Sequence, residues 1–168
     1  MNFFEVGPVK PAQYESLVDL LIELHAYYID PPIATREVVR DHLTQNLIAD
    51  SPSLCLLVAS SRGDEVVGFA ALHLQYSLVE PSPEARRQCV LKELYVRNSN
   101  RGLGVGELLV RRAARFAVDN GCGRMDWNVK ASNLRGIVFY ESLGGFQVED
   151  RLSYRLSRSS LEALASVA

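Results

Sequence analysis

The chain has few cysteines, and their spacing argues against a structural role. Cys55, Cys89 and Cys122 are odd in number and form no Cys-x-x-Cys pair. Neither a disulfide framework nor a zinc site is therefore predicted. The 3 histidines are scattered, and the sequence contains neither Gly-x-Ser-x-Gly nor His-Glu-x-x-His. Serine-hydrolase and zinc-protease functions have no support, and we expect no metal site.

A surplus of basic residues and long apolar runs are also absent. The formal net charge is −2, so there is no excess of positive charge with which to neutralise a nucleic-acid backbone. No apolar run approaches membrane-spanning length, and the N-terminus does not follow a basic-then-apolar signal pattern. We therefore expect no nucleic-acid or membrane partner and a cytoplasmic location. The length of 168 residues predicts a single domain over residues 1–168.

What the sequence does contain is an informative stretch over residues 91–109. Leu94, Tyr95 and Val96 form a β-branched and aromatic run that predicts a short buried strand. A polar turn follows, and then Arg101-Gly102-Leu103-Gly104-Val105-Gly106 leads into a predicted helix. Its apolar face recurs at helical spacing, and Asn120-Gly121 is typical of a helix end.

This stretch predicts an anion-binding site. Alternating glycines allow backbone N–H groups to approach a ligand closely, and the start of a helix favours negative charge. The segment 97–115 carries five arginines, with Glu107 as its one acidic residue. A phosphate group is the ligand that best fits this pattern. A glycine-rich turn that only packs against a sheet is the alternative.

Two common phosphate motifs do not match. A nucleoside-triphosphate loop needs Gly-Lys-Ser/Thr, but Gly106-Glu107-Leu108 is present instead. A dinucleotide fingerprint needs its first glycine almost directly after the strand and a third glycine three residues past the second. Here a polar spacer ending in Arg101 intervenes, and position 107 is glutamate.

The rest of the chain predicts helices on a mixed sheet, an α/β (α+β) fold. The predicted strands are 2–6, 54–59, 65–77, 94–96, 124–129, 146–149 and 152–157, and the predicted helices are 11–28, 35–48, 105–120, 133–143 and 159–167. The small residues Gly68, Ala70 and Ala71 predict close packing against another element. Segment 78–88 has two prolines and no periodicity, which predicts a long loop.

A second motif lies downstream of the glycine-rich stretch. Asn133 and Tyr140 are seven residues apart, so they lie on one side of the predicted helix, and Leu143, Gly144, Gly145 and Phe146 follow. Together with Arg101-x-x-Gly104-x-Gly106, this motif resembles the GNAT acetyltransferase superfamily over nearly the whole chain. Within it, the spermidine/spermine and diamine acetyltransferases are most similar. Lys92 departs from that branch, which tends to carry an acid there.

The resemblance implies a mostly antiparallel sheet with a splayed central strand pair, in a homodimer that uses acetyl-CoA as co-substrate. The pantetheine arm would lie beside Leu94, Tyr95 and Val96, and Asn133 would hydrogen-bond it. The pyrophosphate would lie on the loop formed by Arg101, Gly102, Leu103, Gly104, Val105 and Gly106.

The same resemblance suggests how an amine would be acetylated. The backbone N–H of Val96 would stabilise the oxyanion, and Tyr140 would be the general acid. Glu93 would deprotonate the amine through water or attract its ammonium group; an ordinary charge at a strand edge is the alternative. Tyr28 and Tyr76 are the aromatic candidates for substrate contact.

The acceptor stays open at this level. A diamine, a polyamine or a lysine-like amine is expected, and a peptide, protein or antibiotic amine is the alternative. A non-catalytic acyl-CoA-binding module shares the phosphate loop but needs no Tyr140.

Overall fold

A computed structural model describes residues 4–49, 54–61 and 63–166. The chain divides into two compact units, Met1–Asn128 and Val129–Ala168. The first unit holds β1 (Glu5–Pro8), α1 (Tyr14–Tyr28), α2 (Arg36–His42), β2 (Cys55–Ser60), β3 (Val66–Tyr76), β4 (Arg87–Val96), α3 (Val105–Asp119) and β5 (Arg124–Asp126). The second unit holds α4 (Leu134–Ser142) and α5 (Arg158–Ala165).

The five strands form one sheet in the order β1-β2-β3-β4-β5. The first four pair antiparallel with their neighbours in strand order; a short turn joins β2 to β3, whereas α1 and α2 lie between β1 and β2. β5 pairs parallel with β4, because α3 carries the chain back along the sheet before β5 begins. The predicted mixed, mostly antiparallel sheet flanked by helices is therefore confirmed.

α1 and α2 cover one face of this sheet. Leu17, Val18 and Leu20 of α1 are completely buried and pack with Phe69 of β3 in the main apolar core. Thr35 caps α2, because its side chain accepts a hydrogen bond from the backbone N–H of Val38. A π-helical turn over Leu43–Leu47 continues α2. The predicted helix over 35–48 is therefore present, with a change of helix type inside it.

Two arginines of α2 hold that helix against α1. Arg40 makes two hydrogen bonds of 2.7 Å to the carboxylate of Glu15, and Arg36 pairs with Glu15 and Asp19. These contacts lower the pKa of Glu15 to about 2, chiefly through the hydrogen bond from Arg40. The carboxylate of Glu15 therefore stays charged, and keeps its ion pairs with α2, to lower pH than an unpaired glutamate would.

α3 covers the opposite face of the sheet. Its buried side consists of Val105, Leu109, Val110, Ala113 and Ala117. A Cβ atom on Gly68 would lie 3.1 Å from Leu109 Cδ1 and 3.0 Å from the carbonyl oxygen of Tyr95. The small residues of β3 therefore do permit the close packing that the sequence predicts. The helix ends at Asn120 and a left-handed Gly121, also as predicted.

Several strand boundaries differ from the predictions. β1 lies at Glu5–Pro8 rather than 2–6, and the first residues of the predicted strand lie outside the described ones. β4 starts at Arg87, so it is ten residues long instead of three. It takes in the end of the predicted loop because residues 87–91 pair with Leu72–Tyr76 of β3. β5 stops at Asp126, three residues early.

The second unit departs further from expectation. α4 and α5 are present, capped by Asn133 and Ser157. The predicted closing strands at 146–149 and 152–157 are wrong, because neither segment forms a strand. The helical spacing of the apolar residues Leu134 and Val138 also predicts a buried side for α4, but this is wrong, since the two residues are 71% and 65% exposed. Apolar alternation alone does not make a strand when the backbone groups have no paired neighbour.

Among the described helices, none combines the length and the apolar character needed to span a bilayer.

Candidate active site

The central strand pair separates partway along β4. The parallel ladder joins Gln88–Val90 to Arg124–Asp126 and ends there. β4 continues to Val96, and beyond Val90 its only strand neighbour among the described residues is β3. No β5 strand therefore lies beside residues 91–96, so backbone groups that point to that side can hydrogen-bond a ligand, except the Val96 carbonyl oxygen, which accepts from Arg101. This is the splay that the resemblance implies.

An irregularity in β4 sets the direction of Glu93. Ala71 opposes Glu93 and Leu72 opposes Leu91, so Lys92 is an extra residue in the ladder. Such a bulge breaks the alternation of side chains. Leu91 therefore lies on the α3 face with Leu72, whereas Glu93, only two residues later, lies on the α1 face with Ala71.

Glu93 is hydrogen-bonded to a tyrosine of α1. The Tyr28 hydroxyl lies 3.2 Å from Oε1 and 3.5 Å from Oε2 of Glu93. Burial, and then the charge of Glu93, raise the pKa of Tyr28 to about 12. The phenol consequently remains a hydrogen-bond donor at any working pH, and two of the three predicted substrate-contact residues, Tyr28 and Glu93, are brought together in the first unit.

The predicted phosphate loop lies at the start of α3. Gly102 and Gly104 both have φ of +81°, a conformation that favours glycine, and a Cβ atom at either would meet nothing within 4 Å. Gly104 is the N-cap of α3 and has no side chain with which to cap the first amides of this 15-residue helix. The loop thus offers open space in front of backbone N–H groups at the positive end of a helix dipole.

Three of the arginines around this loop bind other groups of the protein. Arg97, with a side chain 19% exposed, pairs with Glu23 at 3.0 Å and Glu65 at 2.6 Å. Arg101 donates from Nε to the carbonyl oxygen of Val96 and lies over the ring of Tyr95. Arg111 pairs with Glu107. An anion at this loop would therefore depend mainly on the backbone amides and the helix dipole, with less help from arginine than residue counting suggests.

These features fit the diphosphate of a coenzyme A thioester. The open glycines and uncapped helix start suit a phosphate group, and the side of residues 91–96 that has no β5 neighbour suits the amides of pantetheine. Leu94, Tyr95 and Val96 lie within that segment. Leu103 is exposed on the loop, while Val105 is buried and Gly106 half-buried in the first turn of α3. Val105 could therefore contact a ligand only through its backbone.

Tyr76 is the predicted site residue that lies apart from the others of the first unit. It is at the far end of β3, opposite Arg87, whose guanidinium carbon lies 5.7 Å from the ring centre. Ala71, opposite Glu93, is five residues away, or about 17 Å along an extended strand. Tyr76 and Glu93 are thus not brought together.

The two residues of the second motif lie in the second unit. Asn133 is the N-cap of α4, and its Oδ1 accepts the backbone N–H of Gly136 at 3.0 Å. A Cβ atom on Gly136 would lie 2.5 Å from the Asn133 amide nitrogen, so this cap depends on the glycine. Tyr140 is in α4, half-buried, with its ring edge-on to Phe139 at 5.1 Å.

Sequence reasoning missed two features of the site. The bulge at Lys92 has no local signal, because it depends on the register with β3. The role of His25 was also missed: its Nε2 accepts the backbone N–H groups of Ile33 and Ala34 at 3.1 and 3.2 Å and so fixes the loop after α1. The nearby prolines at 31 and 32 indicate a break in the helix, but not what holds the loop.

Comparison with known proteins identifies the family of this chain. The family model described as "Acetyltransferase (GNAT) family" matches residues 19–146. The thialysine N-epsilon-acetyltransferase of Bos taurus is 28% identical over 180 residues, covering 100% of this chain and 99% of that protein. Spermidine/spermine N(1)-acetyltransferase-like protein 1 of Homo sapiens is 23% identical over 174 residues, covering 100% of this chain and 24% of that longer protein.

A solved structure is similar over almost the whole chain. The integron cassette protein VCH_CASS6, from the mobile metagenome of V. cholerae, superposes with a TM-score of 0.87 at 27% sequence identity. The match covers 98% of this chain and 99% of that one.

Proposed function

Starting from the fact that this chain belongs to the GNAT family of acetyltransferases, we propose that it transfers the acetyl group of acetyl-CoA to the primary amine of a small cationic molecule. The chain is an N-acetyltransferase, and its relatives carry names that specify thialysine and spermidine/spermine as acceptors. An amine of this class is protonated near neutral pH, which suits the carboxylate of Glu93.

One observation carries the proposal: the open glycine loop starts α3 immediately after the part of β4 that has no β5 neighbour. Phosphate-binding groups and unpaired strand backbone therefore adjoin each other within the first unit. A phosphate group alone would need only the loop. The adjoining strand segment supports a longer ligand with amide groups of its own, as in coenzyme A.

The residues of the chain would then have distinct tasks. Acetyl-CoA supplies an activated thioester. Glu93, held by Tyr28, attracts the ammonium group and accepts its proton directly or through water. The backbone N–H of Val96 donates to the carbonyl oxygen as negative charge develops, a contact worth about 3 kcal/mol in comparable sites. Tyr140 donates a proton to the departing sulfur, and Asn133 binds the pantetheine.

The family model spans residues 19–146 and so includes parts of both units. This supports the proposal that residues 1–168 act as one catalytic domain. The exposed apolar residues of the second unit, among them Leu152 and Tyr154, support a homodimer in which a second copy covers them.

The test is thiol release from acetyl-CoA with a panel of primary amines. We expect amine-dependent release by the wild type and a fall in kcat of about 100-fold or more in Tyr140→Phe, as for loss of a general acid. Tyr154→Phe removes a hydroxyl from an exposed tyrosine of the same unit and serves as the matched control, with unchanged kcat.

Two results would overturn this proposal. Wild-type turnover in Tyr140→Phe would remove Tyr140 from the chemistry. Tight binding of coenzyme A without release of thiol across the whole amine panel would instead identify an acyl-CoA-binding module.

A further inference from the structure

A cavity of about 790 Å³ lies between α1, α2 and the face of the sheet that they cover. All of its lining residues belong to the first unit. The Tyr28 and Glu93 side chains form part of its wall. One end of a molecule in this cavity would therefore lie at the Glu93 carboxylate, on the part of β4 that has no β5 neighbour.

The walls of the cavity are mainly apolar. Leu24 of α1, Val39 of α2, Leu56 of β2, and Phe69 and Ala71 of β3 are among them. All of these except Leu24 are buried members of the main core, and Leu24 packs against it, so their positions are fixed by packing. Such a surface favours a hydrocarbon body and offers little to a chain that carries several charges.

The charged groups of the cavity are arranged for a single ammonium. Glu93 is the one acidic residue among the described residues that line it, and Lys92 is the one lysine. Histidines 25, 42 and 73 also contribute to the wall, but a histidine is either neutral or cationic and supplies no negative charge. Nε2 of His25 is in addition occupied by the N–H groups of Ile33 and Ala34.

A second ammonium on the acceptor would thus meet an unfavourable environment. It would lose water on entering the cavity and would find no second carboxylate in the wall to replace that water. The ammonium of Lys92 would also repel it. The bulge in β4 adds Lys92 directly beside Glu93, so the wall carries one negative and one positive charge, and a dication gains less from it than from a wall with Glu93 alone.

We infer that the acceptor is a primary monoamine with an apolar alkyl or arylalkyl body, whose amine lies at Glu93 and whose body fills the cavity. Diamines and polyamines are selected against. This inference rests on the proposed function and narrows its acceptor class.

The first experiment compares hexylamine with 1,6-diaminohexane, which has the same carbon chain and one more ammonium. We expect kcat/KM for hexylamine to be at least about tenfold higher, the scale on which one group in an apolar pocket discriminates. 2-Phenylethylamine and spermidine extend the comparison to a bulkier body and a longer cation. Equal or better use of 1,6-diaminohexane would overturn the inference.

Equilibrium binding of the same amines, measured by calorimetry without acetyl-CoA, separates this inference from the proposed function. If the monoamine binds more tightly but no amine is acetylated, the acceptor preference stands and the enzymatic proposal fails. If amines are acetylated but the diamine binds as tightly, the enzymatic proposal stands and the preference fails.

A charge reversal tests the part played by Lys92. Lys92→Glu places a second carboxylate in the wall, and we expect the ratio of kcat/KM for 1,6-diaminohexane to that for hexylamine to rise by about tenfold or more. Lys10→Glu makes the same change of charge at an exposed residue outside the cavity and is the matched control. An equal change of that ratio in both variants, or no change in Lys92→Glu, would contradict the inference.

Discussion

At the scale of single residues, the contact between Tyr28 and Glu93 is the best-defined part of the candidate acceptor site. The two residues are 65 positions apart, and their hydrogen bond joins α1 to β4. The Tyr28 pKa is raised to about 12, so the phenol is protonated below that value and loses its proton only as the pH rises through it. It therefore donates to Glu93 in all ordinary assays. The bond favours the ionised carboxylate over the protonated one.

We expect Tyr28→Phe to move the acid limb of the kcat/KM profile to higher pH, because the Glu93 carboxylate loses a hydrogen bond to its charged form. The measurement is the pH dependence of thiol release with a saturating concentration of acetyl-CoA. Tyr27→Phe is the control, since Tyr27 is adjacent, exposed, and in edge-on contact with the ring of Tyr28. A profile for Tyr28→Phe that coincides with that of Tyr27→Phe would show that Tyr28 does not position Glu93.

At the scale of elements, the start of α3 is where sequence and structure agree most closely. Gly102 and Gly104 are glycines because the chain takes φ of +81° twice before the helix begins. The helix start then presents amide groups to open space. Arg97, Arg101 and Arg111 have partners in the protein. We therefore expect the backbone amides of this loop, more than these three arginines, to bind a phosphate group.

A valine at Gly102 should weaken coenzyme A binding by roughly tenfold or more, since its side chain would occupy the space in front of these amides. Gly63→Val is a well-matched control: Gly63 has φ of +82°, also has open space around it, and lies in the turn between β2 and β3. Both variants should lose roughly 1–2 kcal/mol of stability from the left-handed backbone. Calorimetric binding and thermal unfolding measure the two effects separately, and equal affinity in both variants would refute the loop assignment.

At the scale of the whole molecule, the second unit contains more exposed apolar surface than a folded segment usually retains. Leu152 and Tyr154 are 78% and 88% exposed, in a stretch that the sequence pattern predicted to be a strand. The apolar residues of this stretch alternate with polar ones, as in a strand with one buried face. Among the described residues, no strand pairs with this stretch. This is the physical basis for proposing a homodimer.

Light scattering coupled to size-exclusion chromatography should give a molar mass of twice the 18.7 kDa of one chain. The double variant Leu152→Asp with Tyr154→Asp should shift the protein toward the monomer, because two charges would have to be buried in the interface. Leu78→Asp with Val79→Asp changes two equally exposed apolar residues of the first unit and should leave the mass unchanged. A monomeric wild type would end the homodimer proposal.

The sequence by itself determined the features that depend on neighbouring residues. The end of α1, the bounds of α3 to within one residue, the start of α2 next to Thr35 and the glycine loop were all predicted, because helix periodicity and turns are decided within a few residues. The acetyltransferase family followed from two such local motifs.

Tertiary structure decided the features that depend on how strands pair. The ten-residue length of β4, the bulge at Lys92 and the absence of closing strands each result from register between distant segments. Under strict alternation Leu91 and Glu93 would share a face, but pairing with β3 places them on opposite faces. The position of Glu93 in the wall of the cavity follows from that register, because the local sequence does not specify which strand a β-strand pairs with.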